Sequence, residues 1–201
     1  MTTGFQHLHS FLAYIVLAGI IFSFISALIG ALSGKEFSEK DRKFGLIGMI
    51  LAHIQLLVGI GVYFLSPVGL SNLSGETMGD SMSRLYALEH PLINIIAIAL
   101  ITIGYSRAKK LTESKSRFRS IYMFYGVAFI LILSRIPWEI VSKKMPFGKY
   151  KDRLICDVPE HYLIWLKRNG FPKGKLGMWL ETMYEIRVNG LEYLLDPLKK
   201  K

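Results

Sequence analysis

The chain has 201 residues, 51% of them hydrophobic, with a mean hydropathy of +0.34 and a formal net charge of +10. Its apolar residues gather into runs of about twenty, the length that crosses a hydrocarbon core about 30 Å thick, which excludes an ordinary water-soluble fold. A single cysteine, Cys156, excludes a disulfide framework within the chain and a cysteine-built zinc site.

Four membrane spans are predicted, over residues 11–32, 46–65, 85–104 and 121–133, the last lengthened to Trp138. The flank before the first has no Lys or Arg and the run exceeds a signal-peptide core, so it reads as a retained anchor. The loop after span one carries Lys35, Lys40, Arg42 and Lys43, and the loop after span three carries Arg107, Lys109, Lys110, Lys115, Arg117 and Arg119. The loop between spans two and three has Glu76 and Asp80 and no basic residue until Arg84. The positive-inside rule therefore puts loops 33–45 and 106–120 in the cytoplasm of an inner-membrane protein and the other end of the bundle outside. Much of the net +10 is this topological signal rather than a nucleic-acid footprint.

Small residues Gly19, Ser23 and Gly30 on span one, and Gly45, Gly48, Ala52 and Gly59 on span two, suit close helix approach. After Val141 the chain becomes basic and turn-forming. Asp157 with Glu160 has capping-box spacing around Pro159, opening a helix that stops at Gly170. A second helix over 175–187 stops near Asn189, and LEYLLDP makes a short third. Tyr162, Trp165 and Trp179 read as a core stripe. The expected fold is all-α: a four-helix transmembrane bundle over 1–141 and a small soluble helical domain over 142–201.

Three histidines, His9, His53 and His90, lie in or beside the apolar runs, where an imidazole costs free energy unless something partners it. Interhelical hydrogen bonding, as from Asn94 to His90, is the plain reason. Haem iron is the sharper one, since it takes a neutral imidazole on each axial side and facing helices of a bundle can supply two. Counted from the span centres, His53 lies about 4 Å to the cytoplasmic side and His90 about 7 Å to the outer side. The expected ligands are His90 with His53 first, or with His9 second. Arg84 and Arg135 fall on the outer side, where they suit haem propionates, although Arg84 with Glu89 also reads as an interfacial ion pair. No nucleophile constellation, dinucleotide fingerprint or phosphate loop is present in the usual context, so no enzyme is expected.

The segments HLHSFLAY, FSEKDRKFGLIGMILAHIQLLVGIGVYFLSP, ALEHPLINIIAIALITIGYS and LILSRIPW resemble a small family of four-span Bacteroidetes membrane proteins labelled cytochrome B. That resemblance implies haem b and adds support to His9, His53, His90 and Arg135. Residues 145–198, through MPFGKYK, DVPEHYLIWL and NGFPKGKLG, resemble a family described as quorum-sensing-regulated virulence factors, a domain of unknown function. Relatives of that domain appended to exonuclease-like proteins imply nucleic-acid contact. Here Asp152 stands where those relatives usually have glycine. The expected partners are membrane lipid, a redox partner, a second copy of the chain and, for the tail, nucleic acid. The lysine-rich tail suits the cytoplasm although four spans return the chain outside, and Met145 is placed where a separate gene would start.

Overall fold

A computed structural model describes residues 2–66, 68–79, 81–136, 143–172 and 174–188, which are all-α apart from one isolated bridge between Lys144 and Leu154. The chain divides into two compact units, residues 1–136 and 137–201.

In the first unit, helix α1 runs Thr2–Leu32 and α2 runs Glu39–Leu65. Short helices α3 (Gly75–Gly79) and α4 (Ser81–Arg84) lead into one π-helical turn over Leu85–Glu89. Helix α5 (His90–Lys110) and α6 (Ser114–Leu133) complete the bundle. Four stretches are long and apolar enough to cross a membrane: Gly4–Leu32, Glu39–Leu65, Leu85–Lys110 and Ser114–Ser134. The extension of the fourth to Trp138 falls outside the described residues.

Helices α1 and α2 begin well before their apolar runs. At α2 the reason is a capping box: Asp41 N–H donates to Ser38 Oγ, and Ser38 N–H donates to Asp41 Oδ2 at 3.0 Å. Lys35 Nζ lies 2.7 Å from Asp41 Oδ1 and compensates the buried carboxylate. Phe37 N–H donates to Ser114 Oγ at 3.0 Å, and the Arg117 guanidinium lies 4.0 Å from the Phe37 ring centre. These contacts tie the two basic loops together at one end of the bundle.

Helix α1 packs on α2 and α6, and α5 packs on α6 and α2. The core contains Ile20, Ile101, Phe118, Ile121 and Tyr125, all buried. Gly48 lets α1 approach closely: Ser23 donates its hydroxyl to the Phe44 carbonyl at 2.8 Å, across the contact between α1 and α2. Tyr125 Oη donates to the Gly45 carbonyl at 2.6 Å and joins α6 to α2. Large apolar side chains such as Leu57, Phe64 and Ile130 lie on the outer surface, the distribution a lipid solvent favours.

In the second unit, Met145 and Arg153 are joined through a backbone bond, and Ile155 N–H donates to the Lys143 carbonyl. Helix α7 (Glu160–Asn169) and α8 (Lys175–Val188) pack around Met145, Ile155, Val158, Leu163, Leu180 and Met183. The helix does not start at Asp157 as predicted. Asp157 ends a 3-10 turn, and Pro159 takes the cap position with its carbonyl accepting the N–H groups of Tyr162 and Leu163. Trp165 also departs from the predicted core stripe: it is 53% exposed, stacked on Tyr162. The predicted third tail helix lies outside the described residues.

Asp152 has φ of 66°, in the left-handed region where an L side chain is strained. That conformation is the physical reason a glycine suits the position.

Candidate functional site

The site is built at the bundle end opposite the basic loops, and its local cause is Pro91. Proline has no N–H, so the Ala87 carbonyl four residues earlier loses its helical donor. The backbone adjusts by the π turn, in which His90 N–H bonds the Leu85 carbonyl five residues back. The Tyr63 hydroxyl, from the end of α2, donates to the Ala87 carbonyl at 2.9 Å. A proline has thus fixed the position of His90 through a turn that α2 stabilises.

His90 Nδ1 lies 3.0 Å from the Arg135 carbonyl oxygen. A carbonyl only accepts, so Nδ1 carries the proton and Nε2 keeps the lone pair. The same arrangement orients histidine ligands in metal sites. Asn94 donates to the His90 carbonyl at 2.7 Å and lies 3.4 Å from the ring nitrogen.

His9, on α1, faces His90 with ring centroids 6.1 Å apart and planes at 73°. Its Nδ1 is buried without a hydrogen-bond partner. Gly59 on α2 makes room for it: a Cβ there would stand 3.2 Å from His9 Cε1. Gln55 Nε2 donates to the His9 carbonyl at 2.9 Å, while Gln55 Oε1 is buried without a partner. Arg135 Nε is a third buried atom without a hydrogen bond, 3.6 Å from Glu89 Oε2. Each such orphan costs about 1–3 kcal/mol in the folded protein. Three of them around one histidine pair, on α1, on α2 and in the turn after α6, mark a place where a ligand would restore what burial removed.

Glu89 joins the two arginines, with Arg84 Nε 2.7 Å from Oε1 and Arg135 Nε 3.6 Å from Oε2. One carboxylate between two guanidiniums leaves a local positive charge that a further carboxylate would neutralise. Arg84 also donates to the Met78 carbonyl at 2.7 Å, which fixes its direction.

The sequence ranks His53 ahead of His9 as the partner of His90, and the structure brings His9 there instead. His53 is on the exposed face of α2, its Nδ1 2.9 Å from the Met49 carbonyl and its Nε2 3.4 Å from Thr102 Oγ1. Thr102 is twelve residues from His90 on α5, about 18 Å along the axis at 1.5 Å per residue. The reversal follows from α1, which begins at Thr2 rather than at residue 11 and so carries His9 into the bundle.

Sequence reasoning missed Gln55, Tyr63 and the double role of Glu89. Gln55 had a visible signal, an amide inside GMILAHIQLLVGIG, whereas the Tyr63 bond depends on a carbonyl that only the folded proline turn exposes. Among the described residues no three His, Cys, Asp or Glu side chains gather as a metal-binding group. A haem would need only two imidazoles, and His9 and His90 would be the residues to supply them. The unpartnered His9 Nδ1 and the lone pair left on His90 Nε2 are the chemistry such a group would use.

Residues 135–198 match the family described as "Putative quorum-sensing-regulated virulence factor". Similar curated proteins include "Uncharacterized protein YpeB" of Escherichia coli strain K12 and of Escherichia coli O157:H7. Each is 48% identical over 63 residues, which are 31% of this chain and 88% of the relative. No solved structure matches the chain. Through its C-terminal part, this chain belongs to the quorum-sensing-regulated virulence factor family.

Proposed function

We propose that the bundle is a small b-type cytochrome, in which His9 and His90 would hold the iron of one haem b and Arg84 and Arg135 would partner its propionates. The juxtaposition of two histidines from α1 and α5, one with an unpartnered buried nitrogen and the other tied to the Arg135 carbonyl, carries this proposal. Haem held there supplies one-electron oxidation and reduction. Arg135 orients His90 through its carbonyl, and Gly59 admits the His9 ring. The resemblance of the four bundle segments to the cytochrome B family supports the same function, as does the charge left over around Glu89. The basic loops 33–45 and 106–120 favour a cytoplasmic position by the positive-inside rule, which puts the histidine end outside. Expression of the full chain with ample haem, followed by a reduced-minus-oxidised visible spectrum of the detergent-solubilised protein, tests the proposal. Sharp b-type bands are expected, and their absence would refute it.

A second function is favoured by the relatives, of which this chain covers 88% while they cover 31% of it. A tail that nearly fills whole relatives suits a bundle that serves as a membrane anchor presenting a separate module. On that module Trp165 is exposed beside Tyr162 and Tyr150, and the cations of Lys149 and Arg153 lie 5.8 Å from the Tyr150 ring centre. An exposed tryptophan beside half-buried tyrosines and cations suits single-stranded nucleic acid. Salt-dependent retention of a labelled oligonucleotide by the full chain would support this function, and salt-independent or absent retention would exclude it.

A further inference from the structure

At the basic end of the bundle, a cleft of about 390 Å³ opens between the end of α5 and the start of α6. Arg107, Leu111, Ser116, Arg119, Met123 and Phe124 line it. Among the described residues neither Arg107 nor Arg119 has a carboxylate partner, and the Arg107 guanidinium lies 5.8 Å from the Phe124 ring centre. Two uncompensated guanidiniums facing one cleft repel each other until an anion joins them.

The surface below the arginines is apolar. From Arg119, successive turns of α6 present Met123, Val127 and Ile130, which are 48%, 47% and 68% exposed. On α5, Ile103 lies one turn before Arg107 and is 47% exposed. Arg119 to Ile130 spans about 16 Å along the helix, close to the depth of one leaflet's hydrocarbon. A cationic cleft above apolar rails of that length has the form of a phospholipid, with an anionic head group above and acyl chains below. A free phosphate would use the arginines and leave the rails unexplained.

We propose that this cleft binds the phosphate head group of an anionic phospholipid, with Arg107 and Arg119 as its ligands and the Met123, Val127 and Ile130 stripe along its acyl chains. The proposal rests on the four long helices being membrane spans and is independent of haem. Basic clefts between spans at the cytoplasmic surface are a general means of recognising anionic lipids.

The test counts lipids retained by the detergent-solubilised full chain in native mass spectrometry, with phosphatidylglycerol and phosphatidylcholine as probes. The wild type is expected to retain one phosphatidylglycerol in preference to phosphatidylcholine. Arg107→Gln with Arg119→Gln should lower that preference about tenfold, each single variant should lose part of it, and Lys109→Gln with Lys110→Gln should keep it. Equal retention of the two lipids, or a preference that survives in the double arginine variant, would overturn the proposal. Displacement of the lipid by inorganic phosphate at equal concentration would also overturn it, by naming the free anion as the ligand. Alkaline carbonate extraction separates the two levels: release of the chain from membranes would refute the spans themselves, whatever the lipid count.

Discussion

Gly48→Ala probes a close contact between α1 and α2. A Cβ at position 48 would stand 2.6 Å from Ser23 Oγ, 3.2 Å from Tyr125 Cε1 and 3.3 Å from the Gly19 carbonyl oxygen. None of the three can retreat cheaply. Ser23 Oγ is held by the Gly19 and Phe44 carbonyls, both at 2.8 Å, and Tyr125 is buried with its hydroxyl on the Gly45 carbonyl. Overpacking costs about 1–3 kcal/mol and a lost hydrogen bond about 1 kcal/mol. Alanine recovers about 1 kcal/mol of helix propensity. The balance is a destabilisation of about 1–3 kcal/mol, which sodium dodecyl sulfate titration of the detergent-solubilised protein, followed by circular dichroism, can resolve. Gly4→Ala is the control, because nothing stands within 4 Å of its Cβ and, in the first turn of α1, alanine should leave stability unchanged or slightly raised. A Gly48→Ala protein as stable as Gly4→Ala would refute the close approach of α1 and α2.

Other expectations follow from single contacts. Tyr125→Phe removes the buried hydroxyl that joins α6 to α2 and should cost about 1 kcal/mol in the same titration. Asp152→Gly relieves a left-handed backbone at φ 66° and should raise the thermal midpoint of the tail, read by tryptophan fluorescence, while Asp152→Val should lower it. The hydrogen bond from Lys167 to Glu181 holds the ammonium above its ordinary range. A raised folded value means that this stabilisation is fully present below the ordinary lysine range and is lost as pH rises through the higher folded one. The difference between wild type and Glu181→Gln should therefore be constant near neutral pH, disappear in strong alkali and shrink with salt, because both side chains are nearly half exposed.

Much of the fold is legible in the sequence because lipid demands continuous apolar runs, and those runs locate four helices. Helix ends are less legible. Ser38 with Asp41 caps α2 seven residues ahead of the predicted start, and polar residues from Thr2 onward extend α1 beyond its apolar run. That second extension decides the site, since axial depth counted from apolar centres leaves His9 at the surface while the real helix sets it beside His90. The glycines of spans one and two are legible for the opposite reason, because close approach leaves few residue types possible. The π turn is not legible as such: Pro91 signals a break, but the chain solves it with a Tyr63 bond from another helix. In the tail, Trp165 has core periodicity and an exposed position, since periodicity cannot distinguish a packed face from an aromatic stack on the surface.

The visible spectrum of the haem-supplied protein in three variants tests the central claim most directly. His9→Ala and His90→Ala are each expected to lose the reduced b-type bands or shift them, and His53→Ala to keep them, because His53 is on the outer face with Thr102 rather than beside His90. Loss of the bands in His53→Ala with retention in His9→Ala would contradict the assignment of the ligand pair, and a wild-type protein without bands would contradict the haem site as a whole.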